Sequence, residues 1–244
     1  FNCIFRGNNA IGNGGGISNK GTTNLINSIF YNNSSDSLGG AIFNSDEVNI
    51  TNSSFISNTS TAIVHVRFTS GITNIYNSIF YNNLPKDSDY FADVSVQNPA
   101  IATDLSSMDF RYNIFQETLF GSNNLINIDP LFVDNNNDFS LQTNSLAVNI
   151  GNNELYGTVA GETAASSEDL ALQPRLFDTN IDLGAYEIQD NSTLTIPEGC
   201  SDLVSPLNGA ENVSVNLNSM SWTAVSDAVG YRVSINGSIS KKYQ

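Results

Sequence analysis

Residues 22–50 read TTNLINSIFYNNSSDSLGGAIFNSDEVNI, and the text around them repeats with a period of 25 residues. Three sets of residues, each spaced 25 apart, carry the repeat: Phe5, Phe30, Phe55 and Phe80; Leu25, Ile50 and Ile75; and Asn27, Asn52 and Asn77. The motif GGGI at 14–17 returns as GGAI at 39–42. A fixed period of this length is typical of a solenoid, in which each coil stacks on the next.

The composition of the repeat indicates strands and turns. Each unit contains short apolar runs rich in Ile, Val, Phe and Tyr, separated by Asn, Ser, Asp and Gly. The apolar runs favour strands and the separators favour turns. A unit of this length holds about three strands of 4–5 residues. We therefore predict an all-β, right-handed parallel β-helix with three-strand coils, whose equivalent strands pair in parallel from coil to coil.

The repeated positions have a structural explanation. The Phe column is expected to stack inside the coils, and Leu25, Ile50 and Ile75 should fill a second wall of the same core. The repeated Asn residues are expected at coil corners, where an inward side chain can bond the backbone and its neighbours above and below. The glycine pairs at 15–16 and 39–40 predict a tight bend that leaves no room for a side chain.

The period breaks after Phe80, because the next equivalent residue, Phe115, follows 35 residues later. We expect the ten extra residues within 84–99, since solenoid insertions emerge as loops that often bind ligands. Acidic and aromatic side chains together suit contact with a sugar, and this segment supplies Asp87, Asp89, Tyr90, Phe91 and Asp93 as candidate ligand-binding residues. The alternative is a solvated loop with one aromatic packed back onto the coil.

One turn has the spacing of a cation site. Asp134, Asn136 and Asp138 place oxygen ligands at alternate positions, as calcium loops do, and calcium is the one cofactor that the sequence suggests. The turn lacks the following Gly and the distal Glu of a complete calcium loop. A plain turn between two strands is the alternative interpretation.

The charge of the chain excludes several kinds of partner. The net charge is −15 with only 9 Lys and Arg residues, so nucleic-acid binding, which needs a basic face, is not expected. Binding to anionic membranes is disfavoured for the same reason, and no apolar run suggests membrane insertion. The sequence starts inside a repeat, at Phe1, and we expect further coils to precede it.

The sequence pattern changes at Leu125. It contains DPLFVD at 129–134, SLAVNIG at 145–151 and DLGAYE at 182–187. These motifs resemble the C-terminal part of the bacterial choice-of-anchor Q proteins, although Leu146 and Asn149 stand where that pattern has Pro and Asp. The upstream repeats resemble those of polymorphic outer-membrane proteins. The resemblance implies an exported, surface-attached or secreted bacterial β-helix protein.

A solenoid needs a cap over its last coil, and we expect residues up to 189 to provide it. Arg175 is predicted to pair there with Asp182 or Glu187, since a buried Arg needs such a partner. Residues 190–201 are expected to form a polar linker. Residues 202–244 resemble a truncated fibronectin type III-like module, a partial β-sandwich with Trp222 and 231–233 on its first strands.

These features predict an extracellular or cell-surface protein that contacts a glycan or another cell-surface ligand without catalysis. The alternative is a polysaccharide lyase or glycoside hydrolase, because β-helices often carry such sites. In the regular coils, no acidic residue repeats with the 25-residue period, so neighbouring coils there do not stack carboxylates. The acidic candidates for catalysis are Asp87, Asp89, Asp93, Asp104 and Asp109.

Overall fold

The computed structural model describes residues 1–66, 71–87, 91–97, 108–117 and 121–190, and the strand segments 203–205, 221–222, 231–235 and 238–243. The chain forms two compact units, Phe1–Gln189 and Asp190–Gln244. The boundary lies where the polar segment 190–201 begins. None of the helices in the described ranges is long and apolar enough to cross a membrane.

Three parallel sheets form the first unit. The first sheet holds β1 (Ile4–Arg6), β5 (Ile29–Tyr31), β9 (Ser54–Ile56), β12 (Ile79–Tyr81), β15 (Ile114–Phe115) and β16 (Leu125–Ile126). The second holds β3 (Ile17–Asn19), β7 (Ile42–Asn44), β10 (Ile63–Val66) and β13 (Val94–Gln97). The third holds β4 (Thr22–Ile26), β8 (Glu47–Thr51), β11 (Ile72–Tyr76) and β14 (Met108–Arg111), and β2 (Asn9–Ala10) pairs with β6 (Ser34–Ser35). Stacked parallel sheets of this kind confirm the predicted all-β architecture and fit a parallel β-helix.

The core consists of the predicted columns. The rings of Phe5, Phe30, Phe55 and Phe80 stack with centroids 4.5, 4.8 and 4.6 Å apart and with nearly parallel planes. Leu25 pairs with Ile50, and Ile50 pairs with Ile75, in the third sheet. All of these residues except Phe5 are buried in one apolar cluster. Both predicted columns are confirmed.

The glycine bends are confirmed as well. Gly39 has a φ of +74°, which a residue with a side chain adopts only under strain. A Cβ atom on Gly40 would lie 1.9 Å from the carbonyl oxygen of Thr59 in the next coil. The close approach of two coils therefore requires glycine here.

Two asparagine columns have different roles. The inward column is Asn33, Asn58 and Asn83, in which each side-chain amide donates to the next side-chain oxygen at 3.0 and 3.1 Å. The column at Asn27, Asn52 and Asn77 does not form this ladder, contrary to the sequence analysis. Its residues have φ near +50° and their amide groups donate to a later part of the chain.

That later part follows the sixth strand of the first sheet. It begins with a hairpin of β17 (Phe132–Asp134) and β18 (Asp138–Leu141), which pair in antiparallel fashion. The helix α1 (Asn153–Ala160) and a single 3-10 turn, Ala164–Ser166, come next. The sequence analysis predicted no helix. Asn152 caps α1 by accepting from the backbone N–H of Leu155, and Gly161 ends it with a φ of +77°.

Residues 145–189, which we call the flank segment, lie along the side of the coils rather than across the last one. Asn27 donates to the carbonyl of Glu168 at 2.7 Å, and Asn52 donates to that of Asp182 at 2.8 Å. Leu183 and Ala185 belong to an apolar cluster with Ile29, Ile56 and Ile79 of the first sheet, which is separate from the cluster of the Phe column. The expected cap over the end of the solenoid is thus a cover for one of its flanks, because that flank carries apolar side chains.

Arg175 is fully buried within the flank segment. It forms a 2.8 Å ion pair with Glu187 and donates to the carbonyls of Asp182, Gly184 and Tyr186. The predicted structural ion pair is confirmed, and a buried guanidinium with these partners is not free to contact a ligand.

In the second unit, β19 (Leu203–Ser205) pairs with β20 (Ser221–Trp222), and β21 (Tyr231–Ile235) pairs with β22 (Ser238–Tyr243). Both pairs are antiparallel. The strands expected at Trp222 and at 231–233 are present. Residues 191–202, which include most of the predicted linker, lie outside the described residues.

Candidate functional site

The extra residues of the fifth coil lie on both sides of β13. Val94 pairs with Ile63, 31 residues earlier, and Met108 pairs with Thr73, 35 residues earlier. In a regular coil Ile42 follows Phe30 by 12 residues and Val48 follows Ile42 by 6, whereas Val94 follows Phe80 by 14 and Met108 follows Val94 by 14. Two extra residues therefore precede β13 and eight follow it. The insertion is not confined to 84–99, because β13 itself belongs to the second sheet.

The predicted ligand-binding residues separate in the structure. Asp87 and Phe91 lie on the surface, and the Phe91 side chain is 52% exposed. Asp93 is completely buried. It occupies the register position that Ala62 has in the preceding coil, as the pairing of Val94 with Ile63 requires. The predictions for Asp89 and Tyr90 lie outside the described residues.

Asp93 ends the asparagine ladder. Its Oδ1 accepts from Asn83 Nδ2 at 3.1 Å, and its Oδ2 accepts from the backbone N–H of Gln116 at 2.5 Å. The backbone N–H of Asn83 donates to Gln116 Oε1 at 2.5 Å, so Gln116 takes the position of the next rung. The ladder thus passes from amide side chains to a carboxyl group at the fifth coil.

A second carboxyl group adjoins Asp93. Burial, together with repulsion by the neighbouring Glu117 carboxylate, raises the pKa of Asp93 to about 8 against the opposing effect of the Gln116 N–H. Glu117 Oε1 also accepts from the backbone N–H of Ala92 at 2.6 Å. Asp93 and Glu117 therefore lie close together at the end of the ladder, each accepting from the backbone N–H of the residue before the other.

Glu117 lines a cleft of about 490 Å³ at the ends of three successive strands of the first sheet. The residues at 80–82, 115–117 and 127–129 form its wall, one group from each coil. They supply one phenol, side-chain amides and two carboxylates, and the lining among the described residues includes no Lys or Arg. This volume and this mixture of an aromatic ring with convergent polar groups are typical of small-ligand sites.

Tyr81 and Asp129 also line the cleft. Burial raises the pKa of Tyr81, and the hydrogen-bonded Asp129 carboxylate adds to the shift. The Tyr81 ring packs edge-on against Phe132 at 6.0 Å, and Asp129 accepts from the backbone N–H of Leu131 at 2.8 Å. These contacts fix the orientation of both polar groups.

The sequence analysis missed Tyr81, Gln116, Glu117 and Asp129 as a set. Tyr81 directly follows Phe80 and Gln116 directly follows Phe115, the two ends of the interval in which the 25-residue period breaks. That break was the signal in the sequence that could have indicated them. Phe91, one of the predicted residues, immediately precedes Ala92, whose backbone N–H donates to Glu117.

The suggested calcium turn lies between β17 and β18, as the alternative interpretation predicts. Asp134 accepts from the backbone N–H of Asn136 at 2.9 Å, and Asp138 accepts from that of Ser140 at 3.0 Å. The guanidinium of Arg6 donates to the Asn136 carbonyl at 3.4 Å, which places a cation at this turn. Across the described parts of the chain, no three His, Cys, Asp or Glu side chains cluster as a metal site.

His65 and Asp109 also lie in the coils. His65 is buried, with its Nδ1 2.9 Å from Thr73 Oγ1. Asp109 binds the side chains of Arg111 and Tyr76 at the surface of the third sheet. Neither residue lines the cleft, and Asp104 falls outside the described residues.

A comparison of the chain with protein-family models gave no match. Comparisons with curated proteins and with solved structures gave no match either. The family resemblance of 125–187 stays a prediction from the sequence.

Proposed function

We propose that this chain is an exported, surface-attached or secreted bacterial β-helix protein that binds an extracellular glycan without catalysis. The observation that carries the proposal is the cleft bounded by Tyr81, Glu117 and Asp129. Sugars offer hydroxyl groups to carboxylates and amides and an apolar face to aromatic rings. The resemblance to choice-of-anchor Q proteins supports export, and the net charge of −15 argues against nucleic acid and anionic membranes as partners.

The repeated columns leave few other places for a ligand. The Phe, Leu and Ile columns are buried in the core, and the Asn27, Asn52 and Asn77 column is covered by the flank segment. The two carboxylates of the cleft, Glu117 and Asp129, in contrast, follow the break in the repeat after Phe80.

Binding is tested by blocking the cleft. A glycan array with the unmodified chain identifies the best oligosaccharide, and titration calorimetry measures its affinity. Ile128→Trp should weaken that affinity at least about tenfold, because the larger ring fills the cleft. Ile11→Trp is the matched control, since Ile11 is 89% exposed in the first coil, away from the cleft.

Unchanged binding by Ile128→Trp would place the site elsewhere. A chain that binds no glycan on the array would contradict the proposal itself. Thermal melts of both variants should match that of the unmodified chain, so that loss of binding is not loss of folding.

A second candidate function is glycoside hydrolysis, because Glu117 and Asp129 line the same cleft and hydrolysis requires two carboxyl groups. A lyase is less well supported, since the described lining has no cation to neutralise a uronate. Release of reducing sugar that disappears in both Glu117→Gln and Asp129→Asn, with binding retained, would favour the hydrolase. We expect no turnover.

A further inference from the structure

The charge of the cleft at the ends of β12, β15 and β16 is negative. Glu117 and Asp129 both line it, and the described part of its lining holds no Lys or Arg. The ion pairs among the described residues lie elsewhere, at Arg111 and Arg175. The cleft therefore contains two acidic groups that no cation of the described chain neutralises.

Hydrogen bonds from the backbone hold both carboxylates in place. Glu117 Oε1 accepts from the N–H of Ala92 at 2.6 Å, and Asp129 Oδ1 accepts from the N–H of Leu131 at 2.8 Å. Glu117 Oε2 is buried and has no hydrogen-bond partner within the described residues, so the negative charge of this group is only partly compensated. Anions that are already fixed in position bind a cation without a further cost of ordering them.

Tyr81 adds an aromatic ring to these charges. The half-buried side chain lines the same cleft, and its ring packs edge-on against Phe132, with the ring centroids 6.0 Å apart. An aromatic ring attracts a cation to its face, and it also packs against the apolar face of a sugar. An ammonium group carried by a sugar ring therefore suits the phenol as well as the two carboxylates.

We propose that the ligand of the cleft is an amino sugar with a free, protonated amine, whose ammonium groups are bound by the Glu117 and Asp129 carboxylates. The proposal rests on the proposed function and names the class of glycan. A uronate or a sulfated sugar would place a further anion beside two carboxylates, which repel it. A neutral sugar would leave both carboxylates without a counter-charge. The net charge of −15 also favours the approach of a cationic glycan.

Oligosaccharides that differ in charge test the class of ligand. Titration calorimetry compares tetramers of glucosamine and of galactosamine with their fully N-acetylated forms and with a galacturonate tetramer, at about pH 6, where the amines are protonated. At least one amine tetramer should bind the unmodified chain at least about tenfold more tightly than its acetylated form, and the uronate should bind more weakly than either. Tetralysine carries four amines without a sugar ring and should bind at least about tenfold more weakly than that amine tetramer.

Variants connect the preference for the amine to the two carboxylates. Asp129→Asn and Glu117→Gln keep the shape of each side chain and remove its charge, and each should lower the preference for the amine form over the acetylated form at least about threefold. Asp36→Asn is the matched control, because Asp36 is exposed and does not line the cleft, and it should leave the preference unchanged. A preference that is unchanged in both cleft variants, with thermal melts that match that of the unmodified chain, would overturn the proposal.

The remaining outcomes separate this proposal from the proposed function. Equal affinities for the amine and acetylated forms in both series, or tighter binding of the uronate, would overturn the choice of an amino sugar while a glycan still binds. Equal binding of tetralysine would overturn the choice of a sugar. If none of the tetramers binds, the proposal is wrong, and the glycan array then decides separately whether the proposed function stands.

Discussion

At the scale of single residues, each repeated position has a specific contact. The Phe rings stack on one another, the inward asparagines bond along the solenoid axis, and the outward asparagines bond the flank segment. Asn52 illustrates the double role of the last group. Its φ of +47° turns the chain at a coil corner, and its amide donates to the carbonyl of Asp182. Asparagine tolerates the left-handed conformation and also supplies a donor.

The Phe column leads to a prediction about stability. Phe55 is fully buried between the rings of Phe30 and Phe80, so Phe55→Ala should lower the free energy of unfolding by about 3–5 kcal/mol through the cavity it leaves. Phe91→Ala is the control, because its half-exposed ring should change stability by less than about 0.5 kcal/mol. Urea denaturation measures both, and equal effects would mean that the column does not carry the core.

At the scale of elements, the flank segment covers one side of the stacked coils. The Ile side chains on the outer face of the first sheet would otherwise be exposed, and exposed apolar patches promote aggregation. Leu183 and Ala185 cover them, and the buried ion pair of Arg175 with Glu187 holds the covering chain in shape. The packing of the flank segment on the coils therefore stabilises both the segment and the coils.

Two glycines of the flank segment allow this attachment to be tested. Gly184 and Gly161 both have positive φ, but a Cβ on Gly184 would lie 2.8 Å from atoms of Ile79 and Ser54, whereas one on Gly161 would meet nothing within 4 Å. Gly161→Ala should cost about 1–2 kcal/mol from backbone strain alone. Gly184→Ala should cost about 2–5 kcal/mol, because it also pushes the segment off the coils.

Chemical denaturation compares the two glycine variants, and hydrogen exchange locates the effect. The Asp182 and Ala185 amides should lose protection in Gly184→Ala and keep it in Gly161→Ala. The same loss of stability in both variants would indicate that the packing of Gly184 on the coils contributes nothing.

At the scale of the whole molecule, buried carboxyl groups make stability depend on pH. Burial raises the pKa of Glu187 to about 7 despite the opposing effect of Arg175, and it raises the pKa of Asp93 to about 8. Burial also raises the pKa of Asp182. A carboxyl group with a higher pKa in the folded state stabilises the protein most at low pH, and this contribution is lost as the pH rises through the folded-state value.

We therefore expect the melting temperature to fall between pH 5 and pH 9. One pKa unit corresponds to about 1.4 kcal/mol, so the fall should be at least about 5 °C. Asp93→Asn should reduce it, and Asp87→Asn, at an exposed carboxylate, should leave it unchanged. A melting temperature that is constant or rises over this range would contradict the raised pKa values of Glu187 and Asp93.

Only part of the candidate site could be predicted from the sequence. The break after Phe80 directed attention to the fifth coil, where Phe91 is half-exposed. Asp93, however, points into the coil, because Val94 pairs with Ile63 and thereby sets Asp93 in an inward position. Acidic and aromatic residues in a short segment do not reveal which of them face inward when the coil changes length.

The sequence by itself determined the coil length, the pairing of equivalent strands and the stacked core columns. A constant period forces identical side chains into register, and that register can be read from residue spacing alone. The position of the flank segment and the assembly of the cleft were decided only by the tertiary structure. Asn52 contacts Asp182 across 130 residues, and no periodic pattern marks such a contact. Three coils bring Tyr81, Glu117 and Asp129 around one cleft, because the turns after β12, β15 and β16 end at the same edge of a sheet.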